Sequence, residues 1–265
     1  MAKKIVAVVA IICLVAGISL LLFPVVSNFC GTQIANSITA EFDVRAENVV
    51  DDGKTFEQAE NDGEVDKEGY PIDVNGNRTS NNPVVYKLEL DRLYSDSVSY
   101  NENLKINQSM MLKDSSAYEA ASLDLSKYGI FDGIYGYVSA PSIGMKLPIY
   151  LGASNLNMSY GAAHMTCTSL PIGGDSTNTV IAGHTGYVGR IFFDNLRNLK
   201  IGDTVTLTNY WENLDYKVVR TEVKKPEDSQ NVFISEDKDL LTMFTCIDNG
   251  KGGFDRYYVV CERAQ

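Results

Sequence analysis

The chain opens with an apolar run from Ile5 to Val26 that carries no charge and follows Lys3 and Lys4. At ~1.5 Å rise per residue, about 20 helical residues span a bilayer core of roughly 30 Å, so the run predicts a transmembrane helix. The two lysines place the N-terminus in the cytoplasm and the remaining chain outside. An uncleaved anchor is favoured over a signal peptide, because the run is long and no small-x-small cleavage site follows it. Bulky Phe29 before Cys30 argues against a lipid-modified cysteine. Gln33 to Val50 carries Ile34, Ile38, Phe42 and Val44 at helical spacing and predicts a second, short helix. The pattern then breaks: residues 47–68 hold nine Asp or Glu against two Lys, and Gly, Asn and Pro continue to Pro83. That composition predicts a solvated loop or disordered linker. Its Asp and Asn lack the D-x-[DN]-x-[DN]-G ladder with a closing Glu that a calcium loop needs. Val84 to Asn107 reads as a helix with Val85, Leu88, Leu90, Leu93, Tyr94 and Leu104 on one broad stripe, and Ser109 to Tyr128 as a further short helix or a covering segment.

From Ile130 the period changes from helical to strand-like. Short apolar runs recur between turn residues at Gly133–Ser139, Lys146–Leu151, Asn178–Ala182, Thr204–Thr208, Leu214–Val223, Leu241–Cys246 and Arg256–Cys261. This spacing predicts an antiparallel sheet closed into a barrel. The fold class is therefore mostly β, a closed barrel with N-terminal helices and a transmembrane helix. Residues 1–27 form a cytoplasmic stub and anchor. Residues 28–129 form a helical region with an acidic insertion at 51–83 and a candidate lid at 109–128, and residues 130–265 form the barrel.

Composition narrows the function classes. The 265 residues carry a net charge of −11, the wrong sign for a nucleic-acid footprint. Five cysteines, at 13, 30, 167, 246 and 261, are too scattered for a disulfide framework, although a Cys167–Cys261 bridge stays open. His164 and the cysteines show no paired ligand spacing, so no metal or other cofactor is expected.

The candidate chemistry lies in three separated segments. Thr242-Met243-Phe244-Thr245-Cys246 ends an apolar strand, and a polar turn rich in Gly, Asp and Asn follows it. The next strand carries Arg256 at a level close to the cysteine, as a hairpin would place it. His184 follows the strand Thr179–Ala182 between Gly183 and Gly186, a tight exit that can turn an imidazole toward a cleft. A thiol beside an imidazole can attack a carbonyl, the imidazolium can protonate the leaving amine, and a fixed guanidinium can hold the oxyanion. The alternative reading is a buried packing cysteine, a turn histidine and a solvated arginine. On that reading the chain is a non-catalytic, membrane-tethered binding module.

Thr242-Met243-Phe244-Thr245-Cys246 resembles the sortase signature T-L-x-T-C, with Met for Leu, and His184 and Arg256 fall where that family has its histidine and arginine. The resemblance covers roughly residues 130–263. Within it, Leu147-Pro148-Ile149-Tyr150, Gly161-Ala162-Ala163-His164, the Thr168–Gly174 stretch and Leu196–Asp203 are similar to class C, pilin-polymerising sortases. The class C lid triplet, Asp-Pro-aromatic, is represented only by Asp114-Ser115-Ser116, and the sequence reaches Gln265 just after its last strand, where many of that class carry a second membrane helix. The Ser-His-Gly-Cys-like motif of L,D-transpeptidases is not present. The resemblance implies catalytic Cys246, His184 and Arg256, a substrate contact from Thr245, a lid residue at Asp114, and structural roles for His164, Cys167 and Cys261. It implies as partners secreted proteins, pilin subunits in that class, whose C-terminal signals are Leu-Pro-x-Thr-Gly-like. The acceptor would be a pilin lysine for pilus assembly, or a peptidoglycan precursor for a sortase of another class.

Overall fold

A computed structural model describes residues 2–49, 53–81, 86–112, 117–187, 189–228 and 230–264. Eight strands form the barrel: β1 (Ile134–Ala140), β2 (Met145–Leu151), β3 (Ala162–His164), β4 (Thr177–Ala182), β5 (Thr204–Asn209), β6 (Asn213–Lys224), β7 (Asp239–Asp248) and β8 (Phe254–Arg263). Their order around the barrel is β1-β2-β3-β4-β7-β8-β6-β5, and β5 pairs back onto β1. Closure leaves no unpaired edge. The expected all-antiparallel pattern is corrected at two places, since β2 with β3 and β4 with β7 run parallel. Apolar spacing marks a strand but carries no information on its direction, and parallel neighbours need long crossovers. Here the crossover from β4 to β7 includes the whole β5–β6 hairpin.

Side-chain alternation sorts the strands into two faces. Leu241 and Met243 of β7 and Val259 and Cys261 of β8 point into the barrel, where they pack with Ile149, Ile181, Val205 and Leu207. The intervening Phe244 and Tyr258 point outward into a separate apolar cluster with Val180, Ala182, Met165 and Val232. That outer face carries the candidate site.

Three helical expectations change. The anchor and the helix expected at 33–50 are one continuous helix, α1 (Ala2–Glu47), long and apolar enough to cross a membrane. Its second half lies against β1 and β2, where Phe42 is buried beside Tyr137 and Tyr210. Within the acidic stretch, the described residues 53–81 are folded rather than a loose linker. This stretch contains α2 (Phe56–Asn61), opened by a capping box between Thr55 and Gln58, and two turns in which Asp66 and Asp73 each accept two backbone N–H bonds. Phe56, Ala59, Val65 and Tyr86, with Phe131, supply its apolar cluster. A few aromatic residues spaced through an acidic composition are enough to tie it down against the barrel domain. The helix expected at Val84–Asn107 is α3 (Leu90–Met111), and Val84 and Val85 lie outside the described residues. Three of its five buried residues, Ser97, Asn101 and Gln108, are polar. Ser97 bonds Tyr135 Oη at 2.7 Å, and Asn101 pairs with both backbone groups of Leu170. Gln108 joins Cys167 and Val232 carbonyls to the Ile234 N–H. Such fully partnered amides dock a helix without leaving orphaned polar groups.

Candidate active site

The β7–β8 hairpin is closed by a turn that its own side chains build. Asp248 Oδ1 accepts Gly250 N–H, and Asn249 Oδ1 accepts from Lys251 and Gly253. This fixes the register in which Cys246 and Arg256 are direct cross-strand partners. Paired residues share a face, with Cβ atoms about 4.5–5.5 Å apart in such ladders. Cys246 is exposed at the strand end and Arg256 is half-buried beside it. The guanidinium carbon sits 5.2 Å from the Phe244 ring centroid, and no carboxylate among the described residues forms an ion pair with it. Its charge is therefore directed by an aromatic face and not neutralised by an acid.

His184 lies two residues beyond β4. The parallel β4–β7 pairing runs to Ala182 opposite Phe244, and Gly183 N–H continues it onto the Phe244 carbonyl at 3.2 Å. Thr245, 1% exposed, then grips the loop on both sides of the histidine. Its hydroxyl donates to Gly183 O at 2.7 Å and meets the Thr185 hydroxyl at 2.6 Å. A hydroxyl has one proton, so with Thr245 donating to Gly183 it accepts from Thr185. Further along, Phe193 N–H donates to His184 O at 2.9 Å, and Asp194 accepts from the N–H groups of Gly186 and Phe192. The imidazole stacks on Tyr187, centroids 5.6 Å apart. The strand that carries Cys246 thus holds the His184 loop through the residue immediately before the cysteine.

Below Cys246 the outer face forms an apolar floor of Phe244, Tyr258, Val180, Ala182 and Val232, with Leu112, Tyr118 and Met158 packed against it. The Tyr258 hydroxyl is buried there next to Arg256, and burial raises its pKa. The chain after α3 covers part of this face. Tyr118 O accepts from Ala153 and Thr166 N–H, Thr166 Oγ1 donates to Ala120 O, and Ser122 reaches His164. Asp114 lies outside the described residues.

The second histidine and two of the other thiols are buried, while Cys13 and Cys30 are exposed on α1. His164 is fully buried. Its Nε2 lies 3.0 Å from Ser169 O and its Nδ1 3.3 Å from Ser122 Oγ, and burial pushes its pKa down to about 4. Cys167 and Cys261 are both buried, and burial pushes the Cys261 thiol up to about 12. Among the described residues no cluster of three or more His, Cys, Asp or Glu is arranged to hold a metal ion. Sequence reasoning missed Thr185, Asp194 and Tyr258. The first had a signal, a hydroxyl next to His184 matching the one next to Cys246. The other two depend on contacts that only the fold creates.

Residues 138–264 match the sortase-domain family model. The pilus-related sortase C of Group B Streptococcus is 31% identical, with a TM-score of 0.58 over 67% of this chain and 90% of that one. Sortase C-1 of Actinomyces oris is 30% identical, with a TM-score of 0.55 over 66% of this chain and 99% of that one. Sortase A of Bacillus anthracis is 27% identical over 177 residues, 66% of this chain and 76% of that protein. With a closed eight-stranded barrel and a thiol and guanidinium paired at its rim, the chain belongs to the sortase family, the cysteine transpeptidases.

Proposed function

We propose that this sortase is anchored by α1 with its barrel outside the cell, and that it joins pilin subunits through a thioester on Cys246. In this reading Cys246 Sγ attacks the threonyl carbonyl carbon of a Leu-Pro-x-Thr-Gly-like signal. The C–N bond to glycine breaks, and the departing amine takes a proton from His184. Arg256 holds the oxyanion of the tetrahedral intermediate, charge stabilisation of the kind that dominates acyl transfer. A lysine amine of a second pilin then attacks the thioester, gives its proton to His184 and releases the thiolate, leaving an isopeptide bond. The observation that carries the reading is the Cys246–Arg256 cross-strand pair, with His184 tied to the same strand by Thr245. The likeness to pilus-related sortase C supports a pilin acceptor. Thr245 acts as a positioning residue, since its hydroxyl is already committed to Gly183 and Thr185. The segment around Leu112 and Tyr118 acts as a lid, since it packs on the apolar floor beside the thiol.

The test is incubation of the full chain, in detergent or nanodiscs, with a pilin bearing both the sorting signal and its lysine. Isopeptide-linked multimers that disappear with Cys246→Ala support the reading. Acyl-enzyme that resolves only with peptidoglycan-type amines moves the protein to single-protein wall anchoring. An unreactive Cys246 leaves the binding-module reading.

A further inference from the structure

The loop that carries His184 is held by α1 as well as by the barrel. At Gly31 a Cβ would stand 2.5 Å from Gly189 O and 2.8 Å from Arg190 Cγ, so helix and loop touch backbone to backbone. Gly189, at φ +92°, faces Ser27 as closely, where a Cβ would stand 2.6 Å from its Oγ. Arg190 extends the contact to α4 (Asn155–Tyr160), donating to the carbonyls of Ser159 and Tyr160. Ser27 is the first residue after the apolar run that ends at Val26. A bilayer's headgroup region is about 5–7 Å deep on each side, several residues of helix at ~1.5 Å each. A loop that packs on Ser27 and Gly31 therefore lies at headgroup depth whenever α1 spans a bilayer. The surface exposed there suits that depth: Tyr187 is 42% exposed, Ile191 40%, Leu156 64% and Tyr160 47%. Tyrosines with aliphatic neighbours are the composition of membrane–water interfaces.

We propose that this surface, built from the His184 loop and α4, rests in the interfacial zone of the bilayer and makes the active site open at the membrane surface. The inference rests on the reading of α1 as the anchor. Its occupant is lipid, because continuity with the apolar run sets the height. The consequence for function is a geometric selection: acyl donors whose scissile peptide lies close to their own membrane segment reach Cys246, and donors that carry it on a long extramembrane stalk do not.

The chain's single tryptophan, Trp211, supplies a built-in reference. It contacts Tyr210, which packs on Phe42, 15 residues beyond Ser27 and so about 22 Å further from the bilayer. The full chain is reconstituted in nanodiscs with lipids brominated high on the acyl chain, and tryptophan quenching is read at three places. Native Trp211 is expected to stay unquenched. In a Trp211→Phe background, Leu20→Trp reports insertion of α1, and Ile191→Trp and Leu156→Trp each report the surface. The expected result is strong quenching at 20 and clear partial quenching at 191 and 156. Quenching at 20 with both surface positions as dark to bromine as Trp211 overturns the inference and leaves the anchor standing. No quenching at 20 overturns the anchor and the inference together.

Discussion

Replacing Thr245 with valine keeps the side chain's shape and removes only its hydroxyl. The two bonds lost, at 2.7 Å to Gly183 O and 2.6 Å to Thr185, lie at a site 1% exposed, where water does not replace them. At about 0.5–1.5 kcal/mol per buried bond, the cost is roughly 1–3 kcal/mol of stability. For a domain of this size about 2 kcal/mol lowers the melting temperature by about 4–8 °C. The catalytic loss is separate, because the two bonds flank His184. A loop freed by about 1 Å costs on the order of 100-fold in rate, or about 2.7 kcal/mol. Steady-state cleavage of a sorting-signal peptide should show kcat falling 10- to 100-fold with KM nearly constant, and Thr245→Ser should restore most of it. With two histidines in the chain, imidazole NMR of the variant against a His164→Gln sample shows directly whether His184 has moved. A lower melting temperature with unchanged kcat and unshifted His184 signals would refute the positioning role.

Other outcomes follow from the same geometry. Arg256→Ala should reduce kcat by about 10²–10³, the scale of a lost oxyanion donor, and Arg256→Lys should recover part of it. His164 is held at about 4 against an ordinary 6.5, so between those values the unfolded chain binds a proton that the folded chain does not. Its contribution, roughly 3 kcal/mol for a shift of about 2.5 units, is complete above pH 6.5 and lost as pH falls toward 4. Denaturant titrations across that window should show the loss, and His164→Gln should flatten it. Tyr118→Ala removes a side chain packed on the floor beside Cys246, so the thiol should react severalfold faster with a bulky alkylating reagent. An unchanged rate would mean the segment is no lid.

The hairpin at the centre of the site was legible because its sequence overdetermines it. Period-two alternation marks both strands, and Asp248, Asn249 and the glycines mark the turn, so Arg256 falls opposite Cys246 by counting. β3 was not legible: three residues, Ala162–His164, are too few to show a period. Nor was the parallel β4–β7 pairing, since the partners are separated by the β5–β6 hairpin and nothing local records which strand returns beside which. The acidic region misled by composition. Its order comes from Phe56, Val65 and Tyr86 meeting Phe131, a long-range contact that charge averages hide. α3 misled in the opposite way, for a stripe read as apolar docks through Ser97, Asn101 and Gln108. The Thr245–Thr185 bond combines these limits, since it joins two residues 60 apart that only the parallel pairing brings together.

The central claim is that acyl transfer runs through the sulfur of Cys246. Intact and peptide mass spectrometry of the full chain, incubated with a sorting-signal peptide and no amine acceptor, measures it directly. One adduct is expected, with the mass of the signal up to its threonine, on the Cys246 peptide and released by hydroxylamine. Product formation without that adduct, or an adduct on Cys30, Cys167 or Cys261 instead, would contradict it.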